Sequence, residues 1–288
     1  MKVGIIGAGA WGSAIAHVIA RGESSVILWS FDGEYAHFDG TKLPNNVKIT
    51  QDLTELKSCD AWIAVTPAAF FRETMARAGC HYNKQPIIIC TKGAEPQTGK
   101  FMTEVLNETV KPAKKNIGVL SGPQFAAEVA QGIPTGSTLA GNLRVKKAGR
   151  EILNLAYLDE TDDIIGTQIC GVGKNVIALI SGFISVKIAG ENERALIFTR
   201  CCNEIINIGL AMGAKIATFS GLCGLGDLFL SATSKTSRNY SGGAIIANGG
   251  TPDGTVEGIF AYSTILTRAK ELKIETPVLS DIKKQMHL

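Results

Sequence analysis

The sequence predicts an α/β protein: an N-terminal doubly wound parallel sheet followed by a mainly α-helical second domain. Three observations carry this. Short runs rich in Val and Ile alternate with helical stretches through the first half, and a glycine turn follows the first of those runs. After about residue 166 isolated strands give way to longer helical patterns, so we divide the chain at residues 1–166 and 167–288. With 288 residues, 45% of them hydrophobic, the chain is long enough to build two cores.

Residues 2–6 (KVGII) form the first strand and 26–30 (VILWS) the second, while Ile15, Val18 and Ile19 between them suit a helix. DAWIAVT (60–66), PIIICT (86–91) and NIGVLS (116–121) lack the polar alternation of a half-exposed strand. They therefore read as strands covered by helices on both faces. In the second half, residues 173–186, 192–212 and 256–272 carry helical spacing. Glycine clusters at 221–226 (GLCGLG) and at Ser241-Gly242-Gly243 are expected to break those helices.

Composition excludes several function classes. The net charge of +3 is small and the basic residues are scattered, which argues against a nucleic-acid partner. The apolar stretch Val176–Val186 is bracketed by Lys174 and Lys187 and is too short to cross a bilayer, and glycines interrupt the N-terminal run. A soluble cytoplasmic protein with no membrane partner is expected. Seven cysteines, without a CxxC pair, read as buried free thiols, and His17, His37, His81 and His287 make no metal-ligand spacing. No metal is expected.

Gly7-Ala8-Gly9-Ala10-Trp11-Gly12 is a GxGxxG turn placed between a strand and a helix, the context in which it holds a dinucleotide. Gly7 permits the tight turn, Gly9 lets a pyrophosphate approach the backbone, and Gly12 lets the helix pack close. The helix N-terminus offers free N–H groups to the anion. The domain is thus Rossmann-like, and the cofactor is NAD or NADP. The end of the second strand, Ser30-Phe31-Asp32, leaves the choice open: Asp32 suits either a ribose contact or a loop cap, and no Lys or Arg lies in 29–39. GAEPQTGK (93–100) imitates a phosphate-binding P-loop but has one residue too many before Gly99-Lys100 and Phe101 where a hydroxyl is needed.

Further motifs, in order, are Thr91-Lys92-Gly93, Ser121-Gly122-Pro123 with Phe125, Ala126 and Glu128, Gly173-Lys174-Asn175 continuing to Ala178, Asn192–Arg200, Gly224-Leu225-Gly226-Asp227-Leu228, Ser237-Arg238-Asn239 and Val256-Glu257-Gly258. Together with the glycine turn these make the chain resemble the bacterial NAD(P)-dependent sn-glycerol-3-phosphate dehydrogenase family from residue 3 to about 280. The resemblance implies interconversion of dihydroxyacetone phosphate and sn-glycerol 3-phosphate, which supplies glycerophospholipid synthesis. It implies a phosphorylated triose as partner and admits a homodimer.

By the same resemblance Lys174 is the general acid in reduction and the base in oxidation. Lys92 stands where cofactor and substrate meet, and Asp227 balances the two lysines. Gly122, Asn175, Ser237, Arg238 and Asn239 complete the substrate site, with Arg238 supplying the fork that suits a phosphate. Gly7, Gly9, Ala10, Trp11, Gly12, Phe31, Lys92, Ala126, Arg238 and Glu257 contact the cofactor. The chemistry makes these residue types intelligible, because a ketone being reduced develops charge on oxygen and needs a proton donor or cation beside it. A like charge at Lys92 would lower the proton affinity of Lys174. Lys174 is expected near a helix start, where the dipole disfavours a cation and an anionic partner is required.

The chain also departs from that family. Phe31 replaces His or Arg, Gln124 replaces Thr, and ISVKIAG (184–190) lacks the usual glycine-rich texture, with Glu191 where Asp is frequent. It ends at Leu288, one or two helices short of a typical member, a difference expected to touch stability or subunit contacts rather than chemistry. Two other readings share the glycine turn: a two-domain β-hydroxyacid dehydrogenase, disfavoured by Lys92 and Ser237-Arg238-Asn239, and a non-catalytic NAD(P)-binding regulator, disfavoured by Lys92, Lys174 and Asp227.

Overall fold

The computed structural model describes all residues 1–288. Eight strands, β1 (Lys2–Ile6), β2 (Ser25–Trp29), β3 (Val47–Thr50), β4 (Ala61–Ala64), β5 (Ile87–Ile89), β6 (Ile117–Ser121), β7 (Gly136–Gly141) and β8 (Tyr157–Thr161), form one sheet in the order β3-β2-β1-β4-β5-β6-β7-β8. Every pairing is parallel except β6–β7, which is antiparallel. β1, β4 and β5 are apolar and buried because helices cover both faces. On one face α1 (Ala10–Ala20) and α5 (Leu143–Ile152) pack through Ile15, Ile19, Val145 and Ile152. On the other, α2 (Ala68–Gly79) and α3 (Met102–Thr109) pack through Phe71, Met75, Val105 and Leu106. A short α4 (Ala126–Gln131) lies against α1.

Three of these strands are additions to the sequence reading. β3 and β8 are sheet edges of four and five residues, carrying Lys48, Asp159 and Glu160, so they lack the apolar run of a central strand. β7 is wholly buried but spelled GSTLAG, small residues that leave room for its neighbours and give no hydrophobic signal.

The second half is helical: α6 (Ile164–Lys187), α7 (Glu191–Ala211), α8 (Ile216–Phe219), α9 (Asp227–Thr233), α10 (Arg238–Ala247), α11 (Glu257–Glu271) and α12 (Pro277–Gln285). α6 is the central helix. Its start is fixed by Asp163, whose Oδ1 accepts from Gly166 N at 2.8 Å while Oδ2 accepts from Lys215 N at 2.8 Å and Thr218 Oγ1 at 2.6 Å. The helix is therefore 24 residues long, against the short apolar stretch expected from sequence, and is long and apolar enough to span a bilayer; 83% of its most apolar window is buried inside the protein. Its burial among α7, α10 and α11 is that of a core helix.

The glycine clusters behave differently from one another. Leu222–Gly226 forms a single π turn that delivers Asp227 to the first position of α9. Gly242 and Gly243, by contrast, lie inside α10 and break nothing. A Cβ on Gly243 would lie 1.9 Å from Leu179 O of α6, and one on Gly182 of α6 would lie 1.8 Å from Tyr240 O of α10. The glycines are there because the two helix backbones touch.

The two halves share one core element. Ala94 and Phe101 belong to the first half by sequence, yet both are buried in the hydrophobic core of the helical half. Arg268 of α11 lies over the Phe101 ring, 5.4 Å from its centroid, and pairs with Glu104 at 2.5 Å. Thr103 and Gln168 exchange two further hydrogen bonds across this seam, at 3.1 and 2.9 Å. The P-loop imitation thus serves as a strap, and its Lys100 pairs with Glu108.

Candidate active site

Sheet order reverses between β1 and β4, and the carboxyl ends of those strands open onto a groove, as expected at such a switch point. The groove consists of two cavities that share Gly9, Val65, Thr66 and Pro67. The larger, about 630 Å³, is lined by Gly7, Phe31, Asp32 and Phe70 among others. The smaller, about 280 Å³, runs from Ala10 and Trp11 past Ala126 to Lys92, Lys174, Arg238 and Glu257. One end is wide, with aromatic and acidic side chains on its walls, and the other is cationic.

The glycine turn fits a dinucleotide. Gly7 has φ +118°, a conformation side chains rarely adopt, and a Cβ on Gly12 would fall 1.9 Å from Gly7 O, so the helix closes directly on the turn. At Gly9 a Cβ would meet nothing within 4 Å, which leaves the backbone open to a ligand. Gly9 caps α1 without a side-chain hydrogen bond, so the first-turn N–H groups face the groove free. Nearby, Thr66 is 5% exposed, and its hydroxyl oxygen is buried without a hydrogen-bond partner. A buried donor without a partner costs stability unless a ligand satisfies it. Phe31 and Phe70, 74% and 62% exposed, flank the larger cavity as apolar walls.

At the other end, three charged side chains from three elements converge. Lys92 follows β5, Lys174 sits in α6 and Asp227 opens α9. Asp227 Oδ2 accepts from Lys92 Nζ at 2.6 Å, and Oδ1 accepts from Lys174 Nζ at 2.9 Å. Lys92 also donates to Gly122 O at 3.0 Å, and Lys174 to Ser231 Oγ at 3.0 Å. Asp227 is 1% exposed, while the lysines keep 19% and 14%. Burial would raise the Asp227 carboxyl pKa, but the Lys174 and Lys92 charges outweigh it and hold it below the usual carboxylate range. Lys174 is pushed below the ordinary lysine value, by burial first and then by Lys92, against the opposing pull of Asp227.

Two sequence arguments about Lys174 change here. It lies in the middle of α6, since Asp163 starts that helix much earlier, and the dipole argument for an anionic partner falls. The partner exists for another reason, burial of the amine beside a carboxylate. Burial, rather than repulsion from Lys92, is also the larger cause of its lowered proton affinity.

Asn175, Asn239 and Glu257 form a circuit joining three helices. Gly258 N donates to Asn239 Oδ1 at 2.9 Å, Asn239 Nδ2 to Asn175 Oδ1 at 2.9 Å, and Asn175 Nδ2 to Glu257 Oε2 at 3.1 Å. Ser237 is buried as the N-cap of α10, accepting from Tyr240 N at 3.4 Å. Of the Ser237-Arg238-Asn239 set, therefore, only Arg238 is exposed and lines the cationic cavity. Gly122 is brought to the site through its carbonyl, Ala126 and Glu257 through the cavity wall, and Gly12 only through packing on Gly7.

Several site residues escaped the sequence reading. Ser231 touches Lys174 and lies one helical turn after Asp227, a spacing that signals a shared face. Thr66 ends the 60–66 run, where strand-end hydroxyls meet ligands. Phe70 had no signal, because an exposed aromatic on a helix becomes informative only once the cavity beside it is known. Gln124, by contrast, was singled out in the sequence as standing where Thr is usual; it donates to Ser137 Oγ at 2.5 Å and lines the cationic cavity.

Residues 2–145 match the family model described as NAD-dependent glycerol-3-phosphate dehydrogenase N-terminus, and residues 163–287 match the corresponding C-terminus. A Parvibaculum lavamentivorans protein named glycerol-3-phosphate dehydrogenase (NAD(P)+) is 36% identical over 96% of this chain and 89% of its own. A Maricaulis maris protein of the same name is 35% identical over the same shares. Among solved structures, glycerol-3-phosphate dehydrogenase from Coxiella burnetii superposes with a TM-score of 0.89 and 28% identity, covering 99% of this chain and 94% of that one.

Proposed function

The chain belongs to the NAD-dependent glycerol-3-phosphate dehydrogenase family, and from that premise we propose that it interconverts dihydroxyacetone phosphate and sn-glycerol 3-phosphate with NAD(P)H and NAD(P)+. The observation that carries this reading is the Lys174–Asp227–Lys92 cluster at the end of the dinucleotide groove, with Arg238 exposed beside it. Two amines against one carboxylate leave a cationic pocket suited to a phosphorylated triose.

Bound along the glycine turn, the reduced nicotinamide supplies the two electrons and the hydrogen that reach the ketone carbon. The protein supplies the proton and the charge. Lys174 Nζ gives its proton to the C2 oxygen as negative charge grows there, and recovers it in the oxidative direction. Its lowered proton affinity makes it a readier donor. Asp227 and Ser231 hold the amine in place from two sides, and Lys92, fixed between Asp227 and Gly122 O, adds a second positive charge. Arg238 takes the phosphate. Ser237 and Asn239 act by fixing the first turn of α10 that carries Arg238, and Asn175 with Glu257 ties that turn to α6 and α11.

The same reading takes residues 1–166 as the cofactor domain and 167–288 as the substrate domain. It makes the protein a cytoplasmic enzyme that supplies glycerol 3-phosphate for glycerophospholipid synthesis, and it admits a homodimer. A β-hydroxyacid substrate leaves Arg238 and Lys92 without a phosphate to meet, and a purely regulatory role leaves the buried lysine–aspartate cluster without a use.

Oxidation of NADH and NADPH with dihydroxyacetone phosphate, followed on the parent and on Lys174→Ala, tests this. The parent should turn over and the variant should lose roughly 10² to 10⁴ of kcat with cofactor affinity nearly intact. Arg238→Ala should chiefly raise KM for the ketose phosphate. Cofactor binding without turnover in the parent would sink the proposal, and equal turnover of dihydroxyacetone and its phosphate would remove the role of Arg238.

A further inference from the structure

At the end of the sheet opposite the groove, the starts of β5 and β6 lie beside the end of β7, because β5 and β6 run parallel and β7 runs back against β6. The chain around these three ends carries no acid: residues 81–91, 110–118 and 136–150 contain neither Asp nor Glu. They do carry cations. Lys84, Lys111, Lys114, Lys115, Arg144 and Lys147 are all exposed, and none makes an ion pair. Hydrogen bonds gather the three segments. Lys84 O accepts from Arg144 Nη2 at 3.1 Å and from Asn116 Nδ2 at 2.9 Å, which ties the turn before β5 to the turn before β6 and to the start of α5. The turn Lys114–Asn116 packs on α5, where Lys147 lies one turn after Leu143 and Arg144. Cations scattered in sequence thus form one basic face, and Leu143, 74% exposed, stands among them.

Local stability does not account for this arrangement. α5 opens Leu143-Arg144-Val145-Lys146-Lys147 with no acid in its first turn, so cations crowd the end of the helix where the dipole disfavours them. A single exposed leucine is ordinary. Set among unpaired cations, however, it completes the composition of a surface that binds lipid headgroups.

We propose that this face docks the protein on an anionic lipid bilayer, the six cations meeting headgroup phosphates and Leu143 entering the boundary between headgroups and acyl chains. The sequence expectation of no membrane partner concerned spanning segments, whereas this attachment lies at the surface. A nucleic acid also offers phosphates, but it leaves the apolar anchor without a use. Docked in this way, the protein turns its groove, at the other end of the sheet, toward water, so substrate and cofactor exchange freely. Each cation near an anionic surface strengthens partitioning about fivefold, and salt weakens the effect.

Flotation of the intact chain with phosphatidylcholine vesicles, with and without phosphatidylglycerol, at low and high salt, tests this. The parent should bind only the vesicles that contain phosphatidylglycerol, and less at high salt. Lys114→Gln combined with Lys115→Gln should weaken partitioning roughly twentyfold, and Leu143→Ser about threefold or more. Removing the same charge from the helical half, with the exposed Lys270→Gln and Lys284→Gln, should change it little. Turnover in solution should match the parent in every variant, since none touches the groove. Failure of the parent to bind phosphatidylglycerol vesicles overturns the proposal, as does an equal loss in the Lys270 and Lys284 variant. Vesicle binding indifferent to Leu143→Ser also overturns it, and duplex DNA held as tightly as the vesicles would assign the face to nucleic acid instead.

Discussion

Asp227 divides one carboxylate between two amines, Oδ1 to Lys174 and Oδ2 to Lys92, and this division governs how the site responds to pH. With its carboxyl held below the usual range, Asp227 contributes stability that is complete above the unfolded carboxylate pKa and is lost as pH falls through the lowered folded value. Lys174 has the opposite consequence: its folded pKa is depressed, so carrying its charge costs stability, and that cost fades as pH rises through the folded value toward 10.5. In activity, ketone reduction needs charged Lys174 and should decline on an alkaline limb below the ordinary lysine range, whereas alcohol oxidation should rise over the same limb. Asp227→Asn removes the main influence that opposes this depression, so the limb should move to lower pH. It also leaves two amines without their buried counter-charge, a loss of about 3 kcal/mol or more measurable by urea unfolding. A limb that stays in place in the variant would show that Lys174 is not the titrating group. Lys92, Lys174 and Asp227 were legible in the sequence because each stands in a recognisable motif. Ser231 was not, since a serine in a helix declares itself only when the lysine facing it is known.

At the scale of elements, the contact between α6 and α10 is the clearest case of a sequence signal with two meanings. Ser241-Gly242-Gly243 has the spelling of a loop, and periodicity alone cannot distinguish a break from a helix face that touches another backbone. Only the partner decides. Gly243→Ala should destabilise the protein by about 1–3 kcal/mol, because Leu179 O occupies the space that a methyl group needs. Since α10 carries Arg238, the displaced helix should also raise KM for the ketose phosphate more than it lowers kcat; steady-state kinetics beside thermal unfolding would reveal whether stability alone is affected. The strands β1, β2, β4, β5 and β6 were readable as apolar runs, whereas the edges β3 and β8 and the small-residue β7 were not. Their positions are dictated by neighbours and solvent rather than by hydrophobic content.

For the whole molecule, the seam between sheet and helices is fastened on the side of α3 and α11 and open along the groove. Arg268 closes that fastening with Glu104, Phe101 and a carbonyl, Gly99 O at 3.5 Å. Arg268 is 22% and Glu104 42% exposed, so the ion pair itself is worth only about 1 kcal/mol or less. Arg268→Ala should therefore change the unfolding midpoint little but speed local opening of residues 93–101, seen as faster amide exchange there; unchanged exchange would show that apolar packing alone holds the strap. The two-part architecture was readable from the change in texture near residue 166. The strap was not, because its residues look like a phosphate loop and their partners lie far along the chain.

That strap limits how the protein can be taken apart. Phe101, 2% exposed, and Ala94, 6% exposed, are encoded in the first half but complete the interior of the second. A fragment cut near residue 166 would present this apolar peg to water, and the remaining fragment would carry the matching empty socket. Expressed separately, each half should be sticky and poorly soluble. Expressed together, they should find each other without a covalent link, so fragment complementation rather than independent folding is the behaviour built into this chain.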